Sequence, residues 1–384
     1  MERFDFPISV PFTHRVCFTR DAFAAGNPLV QDLLMEGGGR RALVYLERSV
    51  ADAWPMLVAQ ITSYFAQSNL ELCGIQIKEG GEAAKADDAL VRSVWDKIEK
   101  EKIDRHSYVL CIGGGAFLDA IGFGAATAHR GVRLMRFPTT TLSQDDSGVG
   151  VKNGINAFGK KNWVGSFAVP YAVINDFLFL RTQDPEISRQ GLIEAIKVAL
   201  VKDGNFFSWI EENAAALANL EAYALEECVK RSALLHARHI ALGGDPYEMG
   251  SSRPLDFGHW AAHKMEQLSG FAVSHAAAVS VGLWLDVNYS VKAGLLDSSS
   301  AARIGEVLEI MNLPMFDETL MQRDAQGRLK VLSGLEEFRE HLGGRLTVLL
   351  LRAPGIGVDV HEMDAMLVEQ CIEEMQHGAL QVNG

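Results

Sequence analysis

Along the first half of the chain, short apolar runs alternate with segments whose apolar residues recur at helical spacing. RALVYLERSV (41–50), LELCGIQIK (70–78) and SYVLCIGGG (107–115) are compact apolar runs typical of buried strands. DDALVRSVWDKIEKEKI (87–103) and FLDAIGFGAATAHRG (117–131) have the spacing of helices instead. Strands that alternate with helices predict βαβ units, and therefore a parallel sheet.

The pattern changes after YAVINDFLFL (171–180), where long helical runs such as ISRQGLIEAIKVALVK (187–202) take over. Breaks rich in Gly and Pro, such as GGDPYEMGSSRP (243–254), separate these runs. A length of 384 residues also exceeds one ordinary core. We therefore predict an α/β, Rossmann-like domain over residues 1–182 and an all-α domain over residues 183–384.

Composition and charge narrow the class of protein. The chain is 48% hydrophobic and 22% charged, which is ordinary for a globular protein, and its net charge of −13 argues against nucleic acid as a partner. Its five cysteines form no CxxC motif, which fits a reducing cytoplasm. The N-terminus lacks the apolar core of a signal peptide, and no run of 18 apolar residues predicts a membrane span. We expect a cytoplasmic protein without membrane contact.

A glycine turn closes one of the predicted strands. Gly113, Gly114 and Gly115 end SYVLCIGGG, and Asp119 follows in the next helix. Such a turn lets backbone N–H groups approach a phosphate at a helix N-terminus, as in dinucleotide sites. Glu47, at the end of an earlier strand, is a candidate to accept hydrogen bonds from ribose hydroxyls. A plain strand-to-helix turn and a solvated surface acid explain the same residues.

A polar, glycine-rich segment, TTTLSQDDSGVGVKNGINAFGKKN (139–162), reads as a long loop between apolar strands. Loops of this length in compact domains are usually functional. Its cationic and amide side chains suit a phosphate site in an acidic protein. The alternative is a solvated loop. The candidates are Asp146, Lys152, Lys160, Lys161 and Asn162.

Three histidines and a glutamate in apolar surroundings predict a metal site. Glu194 and Lys197 lie three residues apart in the apolar helix GLIEAIKVAL. Either they form a buried ion pair, or Glu194 is a metal ligand. His259 and His263 lie four apart on one helix face, and His275 begins the next helix. Core histidines are the simpler explanation of any one of them. Three in one hairpin favour zinc, with an open position for substrate.

The motifs together resemble the sugar phosphate cyclases, the superfamily of 3-dehydroquinate synthase and 2-epi-5-epi-valiolone synthase. The resemblance runs from LVYLERSV (43–50) to GLEEFREHLGG (334–344). The motifs that carry it are GGGAFLDAIGF, FPTTTLSQDDSGVGVKNGIN, GKKNWVGSF, GLIEAIK, DFGHWAAH and SHAAAV. It implies NAD on the N-terminal domain and Zn²⁺, with Co²⁺ as an alternative, on the helical one.

The resemblance also implies roles for individual residues. The metal ligands are Glu194, His259 and His275. The residues around the substrate are Lys152, Asn162 and His263 at the phosphate, Lys197 at the hydroxyls, and Arg130 reaching the neighbouring subunit's site in a homodimer. The cofactor contacts are Glu82, Lys85, Asp119, Thr139, Thr140, Leu142, Asp146, Lys161 and Thr182, beside Glu47 and Gly113–Gly115. Lys152, Lys197, His263 and Asp146 are the candidate catalytic residues.

The implied chemistry is a closed redox cycle on a phosphorylated sugar. An alcohol is oxidised by NAD⁺, phosphate is eliminated, the hydride returns, and the opened sugar closes to a carbocycle by an aldol step. NAD is regenerated, so no NADH accumulates. Such an enzyme is a carbon–oxygen lyase.

Departures from the dehydroquinate synthase pattern bear on the substrate. His236 stands where that branch has a lysine, and Ser252 where it has an arginine, with Arg253 one residue later. Asp256 replaces an asparagine and would repel a carboxylate. The heptulosonate of dehydroquinate synthases therefore fits poorly.

VGVKNGIN and GLEEFREHLGG look instead like the branch that cyclises sedoheptulose 7-phosphate, closest to the cyclases of the ebo secondary-metabolite cluster. Under that interpretation, Arg339 and His341 would contact the substrate. The alternative is that both residues lie on an exposed charged helix.

One departure concerns the metal. The family usually has HGEAV after the last ligand turn, whereas this chain has HAAAV, with Ala276 and Ala277 in place of glycine and glutamate. A carboxylate that orients a metal-bound histidine is worth 10–100-fold in affinity or activity. The sequence therefore predicts weaker metal binding than in relatives with the glutamate.

Three other functions compete with this hypothesis. One is 3-dehydroquinate synthase proper. A second is an iron- or zinc-type NAD-dependent alcohol or glycerol dehydrogenase, which leaves Lys152 and Asn162 unexplained. The third is a scaffold protein that kept the fold, for which Ala276 and Ala277 are the only support.

Overall fold

The computed structural model describes residues 2–158, 160–243, 247, 254–341 and 344–378. They form two compact units. The first comprises the described part of Met1–Thr139 together with Gly150–Leu178, and the second comprises Thr140–Val149 together with the described part of Phe179–Gly384. The sequence did not predict that residues 140–149 leave the first unit and pack in the second.

The first unit is built on a fully parallel six-stranded sheet with the order β1-β8-β5-β4-β2-β3, as the alternating pattern predicts. Its strands are β1 Val16–Thr19, β2 Arg41–Glu47, β3 Glu71–Lys78, β4 Tyr108–Gly113, β5 Arg133–Pro138 and β8 Ala172–Asp176, with an antiparallel hairpin of β6 Lys152–Ala157 and β7 Lys160–Phe167 beside them. β2 and β4 are buried over nearly their whole length, because helices cover both faces of a parallel sheet.

Five helices connect these strands. They are α1 Leu29–Glu36, α2 Arg48–Ala53, α3 Leu57–Gln67, α4 Ala89–Lys100 and α5 Gly115–Thr127, with short 3₁₀ turns at Glu82–Lys85 and Ala128–Arg130. β2 pairs with β3 on one side and β4 on the other, so the chain reverses direction across the sheet between β2 and β4. In open α/β sheets, ligands bind outside the carboxyl ends of the strands at such a point.

The second unit is helical, as predicted, with one addition: a β-hairpin of β9 Val348–Ala353 and β10 Ile356–Val360. Its helices are α6 Pro185–Gly191, α7 Ile193–Lys202, α8 Gly204–Glu212, α9 Ala214–Ala218, α10 Ala222–Leu242, α11 His259–Leu268, α12 His275–Lys292, α13 Ser298–Ile310, α14 Ser333–His341 and α15 Ala365–Gln376. Short 3₁₀ turns lie at Pro254–Asp256, Glu318–Met321 and Lys330–Leu332. α12 is buried along most of its length and forms the centre of this unit.

The segment 139–162 is not a continuous loop. It contains a π-helical turn, Ser143–Ser147, and then the hairpin of β6 and β7. The glycines that suggested a loop allow two backbones to approach closely, since a Cβ on Gly154 would lie 2.8 Å from the carbonyl oxygen of Val164. Strand assignment failed here because glycine-rich strands lack the apolar alternation on which it depends.

No helix in the described ranges is both long and apolar enough to cross a bilayer.

Candidate active site

Three predicted metal ligands converge in the second unit. Glu194 lies in the first turn of α7, His259 is the first residue of α11, and His275 is the first residue of α12. One ligand atom from each side chain lies within 4.8 Å of the other two, and Nε2 of His275 is 3.8 Å from Oε1 of Glu194. Two imidazoles and one carboxylate at this spacing form a donor set that zinc accepts.

The two histidines are held in place by the starts of their helices. The hydroxyl of Ser274 accepts a hydrogen bond from the backbone N–H of Ala277 and so caps α12. Gly258, before α11, has a φ of +79°, a conformation that favours glycine. Its N–H donates to the buried carboxylate of Asp286 at 3.0 Å. Both ligands are therefore set by local backbone geometry.

The ring orientations of both histidines suit a metal. Nδ1 of His259 lies 3.1 Å from the carbonyl oxygen of Phe257, and Nδ1 of His275 lies 3.3 Å from Oε2 of Glu266. Both acceptors favour the tautomer with the proton on Nδ1, which leaves the lone pair of Nε2 for a cation. Burial, together with nearby positive charge on Lys197, holds the pKa of His259 well below its usual value. His259 is therefore neutral at pH 7, as a ligand must be.

Lys197 is buried beside the metal ligands, with 2% of its side chain exposed, and its Nζ contacts Oε2 of Glu194. Burial alone would lower the pKa of Lys197, but the charges of Glu194 and Asp146 outweigh it and raise that pKa above its usual value. The side chain is therefore an ammonium at neutral pH, and it can donate hydrogen bonds and supply positive charge.

Two residues predicted for different roles lie in contact with each other. Oδ1 of Asp146, in the π-helical turn, lies 2.8 Å from Nδ1 of His236 on α10. Burial would raise the pKa of Asp146, but the positive charge of Lys197 and the contact with His236 hold that pKa well below its usual value. Asp146 is therefore an ionised carboxylate, and one ring nitrogen of His236 contacts it.

Asp145, next to this pair, is fully buried, and within the described part of the chain neither of its carboxylate oxygens has a hydrogen-bond partner. Burial, with the negative charges of Asp146 and Glu194, raises the pKa of Asp145 well above its usual value. The folded protein therefore keeps this proton at a pH where the unfolded chain has lost it. The contribution of Asp145 to stability falls as pH rises above about 4, the pKa of an unfolded aspartate.

We expect Asp145→Asn to change the pH dependence of stability. The amide cannot ionise, so the variant gains free energy of unfolding relative to wild type by more than about 1 kcal/mol between pH 5 and pH 8. Urea denaturation at the two pH values measures this. Asp52→Asn, at an exposed position on α2, is the control. An equal difference from wild type at both pH values would show that Asp145 is ionised in the folded state.

In the first unit, the glycine turn and Glu47 lie together at the reversal point of the sheet. Glu47 ends β2, and its carboxylate accepts the backbone N–H groups of Gly81 at 3.0 Å and Gly114 at 2.6 Å. A Cβ on Gly113 would lie 2.6 Å from the ring of Phe117 and 2.7 Å from Oε2 of Glu47. The turn therefore requires glycine. Glu47 holds the turn, and it uses the Gly114 amide predicted to face a phosphate.

The other cofactor candidates of this unit form two ion-paired groups. Nζ of Lys85 lies 2.8 Å from Oδ2 of Asp119, and Nζ of Lys161 lies 3.6 Å from Oε1 of Glu82. Arg136, on β5, is completely buried and lies 4.0 Å from Oδ1 of Asp119. The four candidates follow the carboxyl ends of strands, on the turn, helix and hairpin that come next, where a dinucleotide binds in such folds, whereas Arg136 lies within β5.

The remaining candidates are divided between the units. Thr139 follows β5, and its N–H donates to the carbonyl oxygen of Gly113 in the first unit. Thr140, Leu142 and Thr182 belong to the second unit. Lys152, Asn162 and Arg130 are exposed on the first unit, and Arg130 has a φ of +62°. His263, on α11, is exposed with its ring centre 5.4 Å from that of His259.

The described contacts of Arg339 do not include the metal ligands, and two further candidates cannot be compared. Arg339 is on the surface of α14 and pairs with Glu336 at 2.8 Å, as expected of an exposed charged helix. Its contacts within the described chain include no metal ligand. Arg253 and the side chain of His341 lie outside the described residues. Asp256 is half-buried, and its negative charge acts on Lys197.

Besides Asp145, sequence reasoning missed the buried charged residues Arg136, Asp286 and Glu266. Arg136 donates to the carbonyl oxygens of Gly150 and Lys152 and so fixes the entry to the hairpin. Asp286 accepts from Gly258 and from Nε1 of Trp260, and burial raises the pKa of Asp286 to about 7. Glu266 contacts His275. In each case the signal was a charged residue within an apolar strand or helix, which must find a partner.

Comparison with protein families covers most of the chain. Residues 75–190 match the model of the 3-dehydroquinate synthase N-terminal domain, and residues 191–331 match that of its C-terminal domain. The 3-dehydroquinate synthase of Rhodopseudomonas palustris (strain BisB18) is 32% identical over 340 residues, 85% of each chain. That of Psychrobacter cryohalolentis is 30% identical over 354 residues, 92% of each chain.

Solved structures share the fold. A 2-epi-5-epi-valiolone synthase from Streptomyces hygroscopicus subsp. jinggangensis 5008, with NAD⁺ and Zn²⁺ bound, superposes with a TM-score of 0.86 at 24% identity, over 98% of this chain and 100% of that one. A 2-deoxy-scyllo-inosose synthase gives 0.73 at 19% identity, over 94% and 96%. An alcohol dehydrogenase from Ralstonia eutropha JMP134 gives 0.62 at 15%, over 98% and 99%. On its sequence matches, the chain belongs to the 3-dehydroquinate synthase family of sugar phosphate cyclases.

Proposed function

We propose that this enzyme cyclises a heptulose phosphate without a carboxylate, of the sedoheptulose 7-phosphate type, to a carbocycle with loss of phosphate. The observation that carries the proposal is the convergence of Glu194, His259 and His275 beside the permanent cation of Lys197. A divalent metal and an ammonium at one place suit a substrate that presents several hydroxyls and develops negative charge on oxygen.

The residues fit both cofactors that the resemblance implies. Glu194, His259 and His275 would hold Zn²⁺ or Co²⁺, which polarises a hydroxyl or carbonyl oxygen, and the structural neighbours crystallised with NAD⁺ carry one or other of these ions. The turn of Gly113 to Gly115 and the groups around Asp119 would hold NAD, which accepts a hydride and returns it. The position of this turn after β4, where the strand order of the sheet reverses, supports the assignment.

The chain's own residues then have separable roles. Lys197 orients substrate hydroxyls and stabilises negative charge, since its proton is held by Glu194 and Asp146. His263, exposed one turn after His259, lies outside the proposed metal set and would contact the phosphate end of the substrate. Lys152 and Asn162 are exposed donors of the first unit that suit phosphate oxygens.

The choice of a substrate without a carboxylate depends on the charges around α10. His236 stands where a lysine holds the carboxylate in dehydroquinate synthases, and here Asp146 already contacts it at 2.8 Å. Asp256 adds a further negative charge near Lys197. A substrate carboxylate at this position would therefore meet the negative charges of Asp146 and Asp256.

The names of the relatives favour a second candidate. The two described above, at 32% and 30% identity, are both named 3-dehydroquinate synthase, which acts on a carboxylated heptulosonate phosphate. The two candidates share the fold, the cofactors and the elimination of phosphate. They differ in whether the substrate carries a carboxylate.

One experiment separates the candidates. The zinc-loaded enzyme with NAD⁺ is offered sedoheptulose 7-phosphate and the heptulosonate 7-phosphate separately, with phosphate release, absorbance of NADH and product NMR as readouts. We expect phosphate and a carbocycle from the first sugar, and no accumulation of NADH. Turnover of the heptulosonate alone would identify a dehydroquinate synthase. Steady NADH production from simple diols would identify a dehydrogenase instead.

We further propose a homodimer in which Arg130 reaches the neighbouring subunit's site. Two exposed residues in succession, His129 and Arg130, have φ values of +50° and +62°, which non-glycine residues adopt rarely and mostly at functional positions. Loss of a charge-assisted contact to phosphate costs about 1.5–3 kcal/mol, so Arg130→Ala is expected to lower kcat/KM by about 10- to 100-fold.

Mixed dimers test whether this arginine acts across the interface. Co-expressed Arg130→Ala and His259→Ala subunits, carrying different tags, form a heterodimer in which one site has both an intact metal set and the partner's arginine. We expect this heterodimer to recover about half of wild-type activity, although each homodimer is impaired. An inactive heterodimer, or a monomeric wild-type protein, would contradict the proposal.

A further inference from the structure

His275 faces two carboxylates with its two ring nitrogens. Nε2 is 3.8 Å from Oε1 of Glu194, and Nδ1 is 3.3 Å from Oε2 of Glu266. Glu266 lies on α11, seven residues after His259, and only 1% of it is exposed. A buried carboxylate has to be paired or hydrogen-bonded, and His275 is one partner of Glu266.

The donor atoms permit two metal sets, and both include His275. One is Glu194, His259 and His275, and the other is His263, Glu266 and His275. A neutral imidazole offers one lone pair, and its second nitrogen carries the proton. Filling both sets would require an imidazolate ring, with no proton on either nitrogen, that bridges two cations. His275 can therefore serve one set at a time while it stays neutral.

The orientation of His259 favours the first set. Its Nδ1 also lies against an acceptor, the carbonyl oxygen of Phe257 at 3.1 Å, so both rings keep Nε2 for the same centre. Glu194 is buried with Lys197, whereas His263 is exposed. In this arrangement Glu266 is the acceptor of a metal-bound histidine and not itself a ligand.

We infer that Glu266 is a positioning residue, which accepts the Nδ1 proton of His275 and fixes its tautomer and ring plane toward the metal. This inference rests on the metal centre of the proposed function. The inference also changes the expectation for the HAAAV segment. Glu266 on α11 supplies the carboxylate that relatives have at the position of Ala277, so the alanine does not weaken metal binding. Outer carboxylates of this kind are worth 10–100-fold in metal affinity.

The test measures metal affinity and not turnover. Wild type, Glu266→Ala, Glu266→Gln and the control Gln267→Ala, the exposed next residue of α11, are titrated with Zn²⁺ against a chelator. We expect the Kd for Zn²⁺ to rise 10–100-fold in Glu266→Ala and to stay unchanged in the control. The rise is expected to be smaller in Glu266→Gln, because the amide oxygen still accepts a hydrogen bond. Circular dichroism of the metal-free proteins shows whether each variant folds.

Three further readouts make the outcome decisive. The visible spectrum of the Co²⁺ form is expected to shift in Glu266→Ala, because the imidazole is reoriented, and to stay unchanged in Gln267→Ala. Elemental analysis is expected to give one zinc per chain in wild type. Ala277→Glu is expected to leave the Kd within about twofold, since Nδ1 of His275 already has its acceptor.

Several results would overturn the inference. Unchanged zinc affinity in Glu266→Ala would assign the residue to packing alone. Two zinc ions per wild-type chain, with one lost in that variant, would make Glu266 a ligand of a second site. A clear gain in Ala277→Glu would show that His275 lacked an acceptor. If wild type binds no zinc, the metal centre of the proposed function fails as well, whereas the other three results leave that centre intact.

Discussion

Replacing His259 with alanine is expected to remove the tightly bound metal and to lower turnover by about 10³-fold or more. A Lewis acid at the reacting oxygen is worth several kcal/mol of barrier, and each 1.4 kcal/mol is tenfold in rate. His259 supplies one of only three protein donors in its set, with its Nε2 oriented by the carbonyl of Phe257. The measurements are zinc per chain after dialysis, and phosphate release from the sugar.

His263→Ala is the matched control, because the two histidines lie four residues apart on α11 with ring centres 5.4 Å apart. We expect this variant to retain its zinc and to lose activity mainly through a higher KM, as expected of a residue that binds the substrate and not the metal. Loss of zinc from His263→Ala with retention in His259→Ala would show that the alternative donor set, with Glu266, is the one that binds.

The second large effect is expected from Lys197→Met, which removes the ammonium buried against Glu194. Breaking a buried ion pair by removing one partner costs about 3–5 kcal/mol, because the remaining charge stays in a medium of low polarity. Asp146 loses the same neighbouring cation. Urea denaturation of the metal-free variant is expected to show this loss of stability, and the activity is expected to fall as well.

Zinc distinguishes an electrostatic effect from a simple packing defect. A bound cation replaces part of the lost positive charge, so zinc is expected to stabilise Lys197→Met more than it stabilises wild type. Lys202→Met, on the exposed side of the same helix, is the control and is expected to change stability by less than about 0.5 kcal/mol. Equal stabilisation of variant and wild type by zinc would mean that Lys197 does not compensate Glu194.

The fold was predictable to the extent that the hydrophobic pattern is local. β2, β4 and the helices around them have strong apolar periodicity, and the structure places them within a few residues of the predicted bounds. The hairpin of β6 and β7 was not predicted, because its strands are rich in glycine and polar residues. β9 and β10 were missed as well, because a short strand pair in a helical region has no distinct period.

The site was predictable as a set of residue types, but not as a set of contacts. Lys85 with Asp119, and Asp146 with His236, were each singled out separately, yet the structure pairs them at 2.8 Å. Glu47 was predicted to face a ligand, and the structure adds that it accepts hydrogen bonds from two backbone amides of the glycine turns. Sequence spacing does not show which polar groups form hydrogen bonds or ion pairs with each other when the partners lie far apart in the chain.

By itself, the sequence determined the two-unit α/β and helical architecture, the glycine turn at the end of β4 and the donor types of the metal set, because each depends on short-range pattern and on the chemistry of single side chains. The tertiary structure alone decided that residues 140–149 pack with the helices, that Lys197 is a fixed cation, and that Glu266 contacts His275. Burial and long-range proximity set charge states and hydrogen-bond partners, and neither is encoded in local spacing.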